Sequence, residues 1–240
     1  MIGPAEVKRL YPLVETAGLL GAAWNPEDGH LDPASATRAL AKGARDRGAE
    51  FYEQTRVTAI ARTHGGEWRV TTDRGDILAE IVVNAGGTWA REVGRMVGLD
   101  LPIVSMEHQY LVTGAISEIA ALPAELPLLR EVDVSYYMRQ EQNGLIVGPY
   151  ERGAKPFGVG GIPPGFGREL LPPDLARIKP ILEKAMARVP ALAPAGVLRV
   201  VNGPITYTPD GNPLLGPAFD LPGFYLACGF SFGITQAGGA

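Results

Sequence analysis

The sequence is nearly free of cysteine: Cys228 stands alone among 240 residues. No internal disulfide can form, and a reducing, cytoplasmic setting is the expectation. An excess of basic charge is missing too. Lys and Arg number 22 against 26 Asp and Glu. With no basic cluster either, a nucleic-acid partner is not expected. No apolar run approaches the roughly 20 residues of a membrane span, and the opening MIGPAEVKRLYP carries no signal-peptide pattern. No membrane partner is expected. Repeats and low-complexity tracts are absent, as is any strand followed by the dinucleotide fingerprint G-x-G-x-x-G. Asp28, His30 and Asp32 are spaced like metal ligands, but Asp28-Gly29 reads as a turn and Asp32 as a helix cap. No second cluster has metal spacing, so no metal is expected.

What is present is an ordinary globular composition, 46% hydrophobic and 20% charged, with length for one large domain or two small ones. Asp32-Pro33 is a helix start, with Asp32 as N-cap and Pro33 at the first position. That helix stops at Gly48 and offers Leu40, Ala41 and Ala44 as its apolar stripe. RVTAIAR, EWRVTT and DILAEIVVN read as three strands of a meander. A short helix over TWAREVGRMV follows. Strands are expected near 103–113 and 133–140, with a helical piece between them. A tight turn at Gln142-Asn143-Gly144 leads into LIVGPY. Residues 151–170 read as a long loop, and PPDLARIKPILEKAMARV as an amphipathic helix that Pro180 kinks. VLRVVNGPI and GFYLACGF look like buried strands. The fold class is α+β, mixed α/β, with sheets at the centre.

Two stretches carry a chemical signal. In VVNAGGTWA an aliphatic strand ends on Asn84-Ala85-Gly86-Gly87 just before a helix. This is either an ordinary turn or a place where backbone must approach something other than protein. Near the C-terminus, GPITYTPDGNPLLGP precedes GFYLACGFSFGITQAGG, placing glycines at the carboxyl end of a buried strand, where α/β sheets bind ligands. The other reading is a loop-rich sheet edge. Strand alternation puts His108, Tyr110 and Val112 on one face, and Gln109, Leu111 and Thr113 on the other. It likewise pairs Tyr137 with Arg139, opposite Tyr136 and Met138. A histidine in a strand is often only a structural hydrogen-bonder. Arg139 suits either a solvated ion pair or bidentate recognition of a carboxylate.

Blocks NPEDGHLDP (25–33), VVNAGGTWAREVG (82–94), EHQYLVTG (107–114), SYYMRQEQNGLIVGPYE (135–151), PPGFGREL (163–170) and VNGPITYTPDGNPLLGP (201–217) occur in this order. Together they resemble flavin-dependent oxidoreductases of the D-amino-acid oxidase superfamily, most of all the dimethylglycine and sarcosine dehydrogenase branch. The resemblance implies FAD as cofactor, held along Asn84, Ala85, Gly86 and Gly87, with Val57 near the adenosine half. Gly229, Phe232, Gly233 and Ile234 would follow the flavin's pyrimidine edge, where N–H groups and a helix dipole favour negative charge. It implies His108 and a tyrosine, Tyr137 or Tyr136, above the flavin as catalytic groups, with Arg139 on the substrate carboxylate.

The implied reaction is oxidative N-demethylation of dimethylglycine or sarcosine, with an electron acceptor or oxygen as second partner. Folate would enter through a further domain that many members carry. Oxidation like that of glycine or D-amino-acid oxidases, or a non-catalytic binding module, are the alternatives. The family's G-x-G-x-x-G unit has no counterpart in these residues, so the chain resembles an internal fragment and is expected to bind FAD weakly or not at all. Expected domains are 1–32 as a substrate-domain strand and linker and 33–100 as part of an FAD-binding domain. Residues 101–200 would form a substrate domain, and 201–240 the rest of the FAD-binding domain, cut off at Ala240.

Overall fold

A computed structural model describes residues 1–163, 165–167 and 169–240. Pro164 and Arg168 of the PPGFGREL block lie outside the described residues. The chain opens with helices α1 (Pro4–Leu10) and α2 (Pro33–Arg45), followed by strands β1 (Val57–Arg62), β2 (Trp68–Thr72), β3 (Gly75–Ala79) and β4 (Val82–Asn84). Helix α3 (Ala90–Met96), strand β5 (Val104–Thr113) and helix α4 (Ser117–Ala120) come next. Strands β6 (Leu129–Glu131), β7 (Tyr136–Glu141), β8 (Gly144–Pro149) and β9 (Pro156–Phe157) precede helices α5 (Leu175–Arg188) and α6 (Leu192–Ala195). Strands β10 (Val197–Tyr207), β11 (Leu214–Pro217) and β12 (Phe224–Cys228) and the one-turn helix α7 (Gly233–Gln236) finish the chain. The fold is mixed helix and sheet, as its patterning suggested.

The chain divides into two compact units. The first comprises Met1–His30, Glu107–Lys155 and Arg168–Gly203. Its sheet runs in the order β10-β5-β8-β7-β6. Leu111, Tyr136, Met138, Leu145 and Val147 project from one face into a core closed by Ala185 and Val189 at the end of α5, with Tyr11 and Val14. Asp174 caps α5 by accepting from Arg177 N at 3.2 Å. Pro180 sits inside the helix and does not end it. The expected strand and linker before residue 33 instead contain α1, whose Pro4 at N1, Glu6 in the first turn and Lys8 and Arg9 in the last suit a helix's dipole.

The second unit comprises Leu31–Met106, Pro156–Gly167 and Pro204–Ala240. One of its sheets is the β1-β2-β3 meander; another has the order β11-β12-β4. Trp68 and Phe224 meet edge to face in its core, with centroids 5.5 Å apart. DILAEIVVN is therefore not one strand. Trp68↔Ala79 closes the β2–β3 register, and Val82 N then donates to Gly223 O at 2.9 Å. The backbone has changed sheets because its next hydrogen-bond partner lies there. Asp32 caps α2 through Ser35 N at 2.8 Å, yet no residue of α2 is buried and Leu40 is exposed. Of its apolar stripe, Ala41 and Ala44 are half-buried and Leu40 is left open. The expected loop 151–170 contains β9, which pairs with Ser105 and Met106 of β5.

Candidate functional site

In the first unit the sheet face turned away from the core carries His108, Tyr137 and Arg139, the residues expected on the substrate side. The β7–β8 hairpin turns through Gln142, which takes a left-handed φ of 54°, and its register sets Tyr137 opposite Gly148. On the other side of β7, Arg130 of β6 stands opposite Tyr137. Directly opposed residues share a face, so Arg130, Tyr137 and Gly148 form one row across the sheet. A Cβ at Gly148 would fall inside the Tyr137 ring. The glycine is what lets that phenol lie flat over β8.

His108 and Tyr137 do converge, through a residue that sequence reasoning missed. The Tyr150 ring stacks on His108 at 4.6 Å and 23°, and lies 5.7 Å from the Tyr137 ring. Burial, aided by the charge of Arg177, lowers the His108 pKa to about 4, so the imidazole is neutral at pH 7. Burial raises Tyr137 to about 12, with Tyr150 and Tyr110 adding to the rise, and this phenol stays protonated. Tyr150 is also raised by burial, while the nearby charge of Arg130 acts the other way.

The structure separates Tyr136 from this group. It is buried in the core on the opposite face, and its hydroxyl donates to Glu131 Oε2 at 3.0 Å. Tyr136 therefore leaves the list of catalytic candidates. Arg139 lies on the Tyr137 side, but Glu141 meets its charge at 2.7 Å. Arg130 forms no ion pair with a described carboxylate; its neighbour Glu131 pairs with Arg188 at 2.9 Å. Gly148 and Tyr150 could have been found by counting outward from the Gln142-Asn143 turn along β7 and β8; Arg130 lies in β6, past a second turn that this count does not cross.

In the second unit, β4 and β12 run parallel with Leu226 opposite Asn84. The two glycine turns thus leave the sheet side by side at its carboxyl end, the end at which open α/β sheets bind ligands. Asn84 is buried and works within the turn. Its Nδ2 donates to Ala90 O at 2.8 Å and its Oδ1 accepts from Gly86 N at 3.1 Å. A side chain at Gly86 would press on Ala90 backbone at 3.1 Å, whereas Gly87, at φ +54°, has open space where a Cβ would point. Gly229 is also left-handed, at φ +76°, and a Cβ there would collide with the Thr208 methyl. Ala85 links Asn84 to Gly86. Phe232 and Ile234 are exposed beside Gly233. Helix α7 begins at Gly233 and spans only one turn, so its dipole is slight. Val57 lines a cleft of about 680 Å³ together with Arg56, Trp89 and Phe166. His30 Nε2 lies 3.2 Å from Glu125 Oε1. Cys228 is a small buried core residue beside Ala90 and Leu101.

The whole chain, residues 1–240, matches the family described as FAD dependent oxidoreductase. The chain belongs to the FAD dependent oxidoreductase family. It is 46% identical to mitochondrial dimethylglycine dehydrogenase of Mus musculus over 100% of its own length and 28% of that protein's. It is 39% identical to mitochondrial sarcosine dehydrogenase of Mus musculus, over 100% of its own length and 26% of the relative's. It thus spans little more than a quarter of these relatives. L-proline dehydrogenase from P. horikoshii superposes with a TM-score of 0.81 at 31% identity, over 98% of this chain and 60% of that one. For this family's cofactor the second unit supplies fitting backbone: adjacent parallel strands, left-handed glycines at their carboxyl ends, and space above Gly87.

Proposed function

We propose that the chain supplies the amine-binding face and part of the flavin cradle of an enzyme that oxidatively demethylates an N-methylated amino acid such as dimethylglycine or sarcosine. The observation that carries this reading is the aromatic cluster of the first unit. His108 stacks on Tyr150, Tyr137 lies beside it, and Arg130 stands in the next strand with no carboxylate ion-paired to it among the described residues.

A methylated ammonium is attracted to the faces of aromatic rings. A carboxylate two bonds away is matched by a guanidinium fork. Tyr137 and Tyr150 supply the first feature and Arg130 the second. Neutral His108 presents a lone pair to an ammonium N–H without adding a repelling charge. Its low pKa makes it a holder of that proton's hydrogen bond more than a strong base. Protonated Tyr137 remains a donor throughout the neutral range.

Asn84 fixes the turn that carries Ala85, Gly86 and Gly87, and Gly229 allows the neighbouring turn. Both present backbone to a diphosphate or isoalloxazine without a side chain intervening. Bound FAD supplies the two-electron acceptor for the substrate C–H bond. Oxygen or another acceptor completes the cycle, and folate enters no step of this proposal. The names of the two mitochondrial relatives support the substrate class.

Calorimetric titration with dimethylglycine tests the reading. Arg130→Gln should weaken binding by about 1.5–3 kcal/mol, tenfold or more. The same variant should bind N,N-dimethylethylamine, which has no carboxylate, as wild type does. Equal dimethylglycine affinity in variant and wild type would refute the assignment.

A further inference from the structure

We infer that Arg177 is a positioning residue, which holds the His108–Tyr150 stack in place by bridging Glu107 and Glu151 beneath the sheet. The inference rests on the proposed role of the face that carries His108.

Backbone pairing gives the first reason. The β5–β8 ladder consists of Leu111↔Val147 and Val112↔Ile146. Two residues further along β8 is Pro149, which has no N–H to donate. Beyond it, Tyr150 N donates to Ser135 O and Glu107 N to Lys155 O, each at 2.8 Å. At the level of His108 and Tyr150 the two segments have turned to other partners. Something other than the ladder must keep the two rings 4.6 Å apart.

Arg177 sits where that link is needed. Its Nη1 donates to Glu107 Oε2 at 2.9 Å. Its Nε lies 2.7 Å from Glu151 Oε1, an ionic contact without hydrogen-bond alignment. Glu107 immediately precedes His108, and Glu151 immediately follows Tyr150. Alternation puts both carboxylates on the core side of the sheet and both rings on the other. One guanidinium therefore grips the two backbone segments one residue from each ring. The grip is enclosed, with 10% of the Arg177 side chain and 4% of the Glu151 side chain exposed. Asn202 Nδ2 donates to the same Glu107 oxygen at 3.1 Å. Gln109 fixes the start of the helix through Asp174 N at 2.6 Å. Buried charges in one network hold geometry more firmly than exposed pairs.

The charge of Arg177 also reaches the imidazole and disfavours its protonation. Around His108 the charged or titratable groups are Arg177 from α5, Glu107 on its own strand, Glu151 after β8, and the phenols of Tyr110, Tyr137 and Tyr150. The charge of Arg130 bears on the Tyr150 hydroxyl.

The sequence has three histidines, so imidazole NMR of the whole 240-residue chain resolves His108, with His108→Gln for assignment. In wild type the His108 resonance should carry a ring-current displacement from Tyr150 and titrate near 4. In Arg177→Gln the displacement should vanish and the midpoint should rise by roughly one pH unit or more. Arg177→Lys keeps charge but not the fork, and should restore the midpoint more than the displacement. Lys155→Gln, which breaks a more exposed pair to Asp174, should change neither. A folded Arg177→Gln with wild-type displacement and midpoint would overturn the inference, as would equal changes in Lys155→Gln. If Arg177→Gln does not fold, Glu151→Gln reads the same displacement, and its retention counts against the bridge. None of these readings needs an amine. If they hold while dimethylglycine leaves the His108 signal unmoved, the substrate reading fails and the positioning role stands.

Discussion

At the scale of single residues, the proposed site depends on a backbone position with no side chain. Gly148 gives the Tyr137 ring its bed, and any Cβ there collides with the phenol. Gly148→Ala should destabilise the chain by roughly 1–3 kcal/mol, the usual cost of overpacking. Adding Tyr137→Ala should remove most of that cost, because the two changes act on one contact. Urea unfolding of the four chains of this cycle measures the coupling, and strictly additive effects would show that the contact is absent. His108 makes a second prediction. Its folded pKa is depressed from 6.5 to about 4, so between these values the unfolded chain binds the extra proton. The resulting stability is fully present above pH 6.5 and is lost as pH falls through about 4. His108→Gln should flatten this part of the stability–pH curve. Asp174 and Asp210, whose carboxyls are held low by hydrogen bonds, act in both proteins and cancel in the difference. An unchanged slope in the variant would mean that the imidazole is not buried as described.

At the scale of elements, local chemistry was legible where one rule acted alone. Asp32-Pro33 marked the start of α2, and alternation in β5 and β7 put His108 and Tyr137 opposite the core residues Leu111 and Met138. Reading failed where a distant partner decided the outcome. Nothing within DILAEIVVN says that Val82 will bond to Gly223 in another sheet. Nothing in Tyr150 alone says that it will join His108 to Tyr137. Leu40, Ala41 and Ala44 form a stripe by spacing, but spacing cannot say whether anything covers it. The Asn84-Ala85-Gly86-Gly87 turn was legible as a turn, while its internal support was not. Asn84 braces it from both sides, toward Gly86 and toward Ala90. Asn84→Ala should therefore cost about 1–3 kcal/mol, the penalty of leaving buried polar groups unmatched. The loss can be read as a lowered thermal midpoint. A change near zero would show that the turn holds itself without the side chain.

At the scale of the whole molecule, family membership rests on the full length of the chain, while substrate and site rest on the proposal. The proposal divides the chemistry: the first unit recognises the amine, and the glycine turns of the second cradle the flavin. Its central claim is that one sheet face, carrying His108, Tyr137 and Tyr150, receives the N-methyl groups. Intermolecular nuclear Overhauser effects test that claim directly. With the chain saturated by N,N-dimethylglycine, the account predicts transfer from the N-methyl protons to the ring protons of Tyr137, Tyr150 and His108, and none to the ring of core-facing Tyr136. Transfer confined to other residues, or bound ligand with no transfer to these rings, would contradict it.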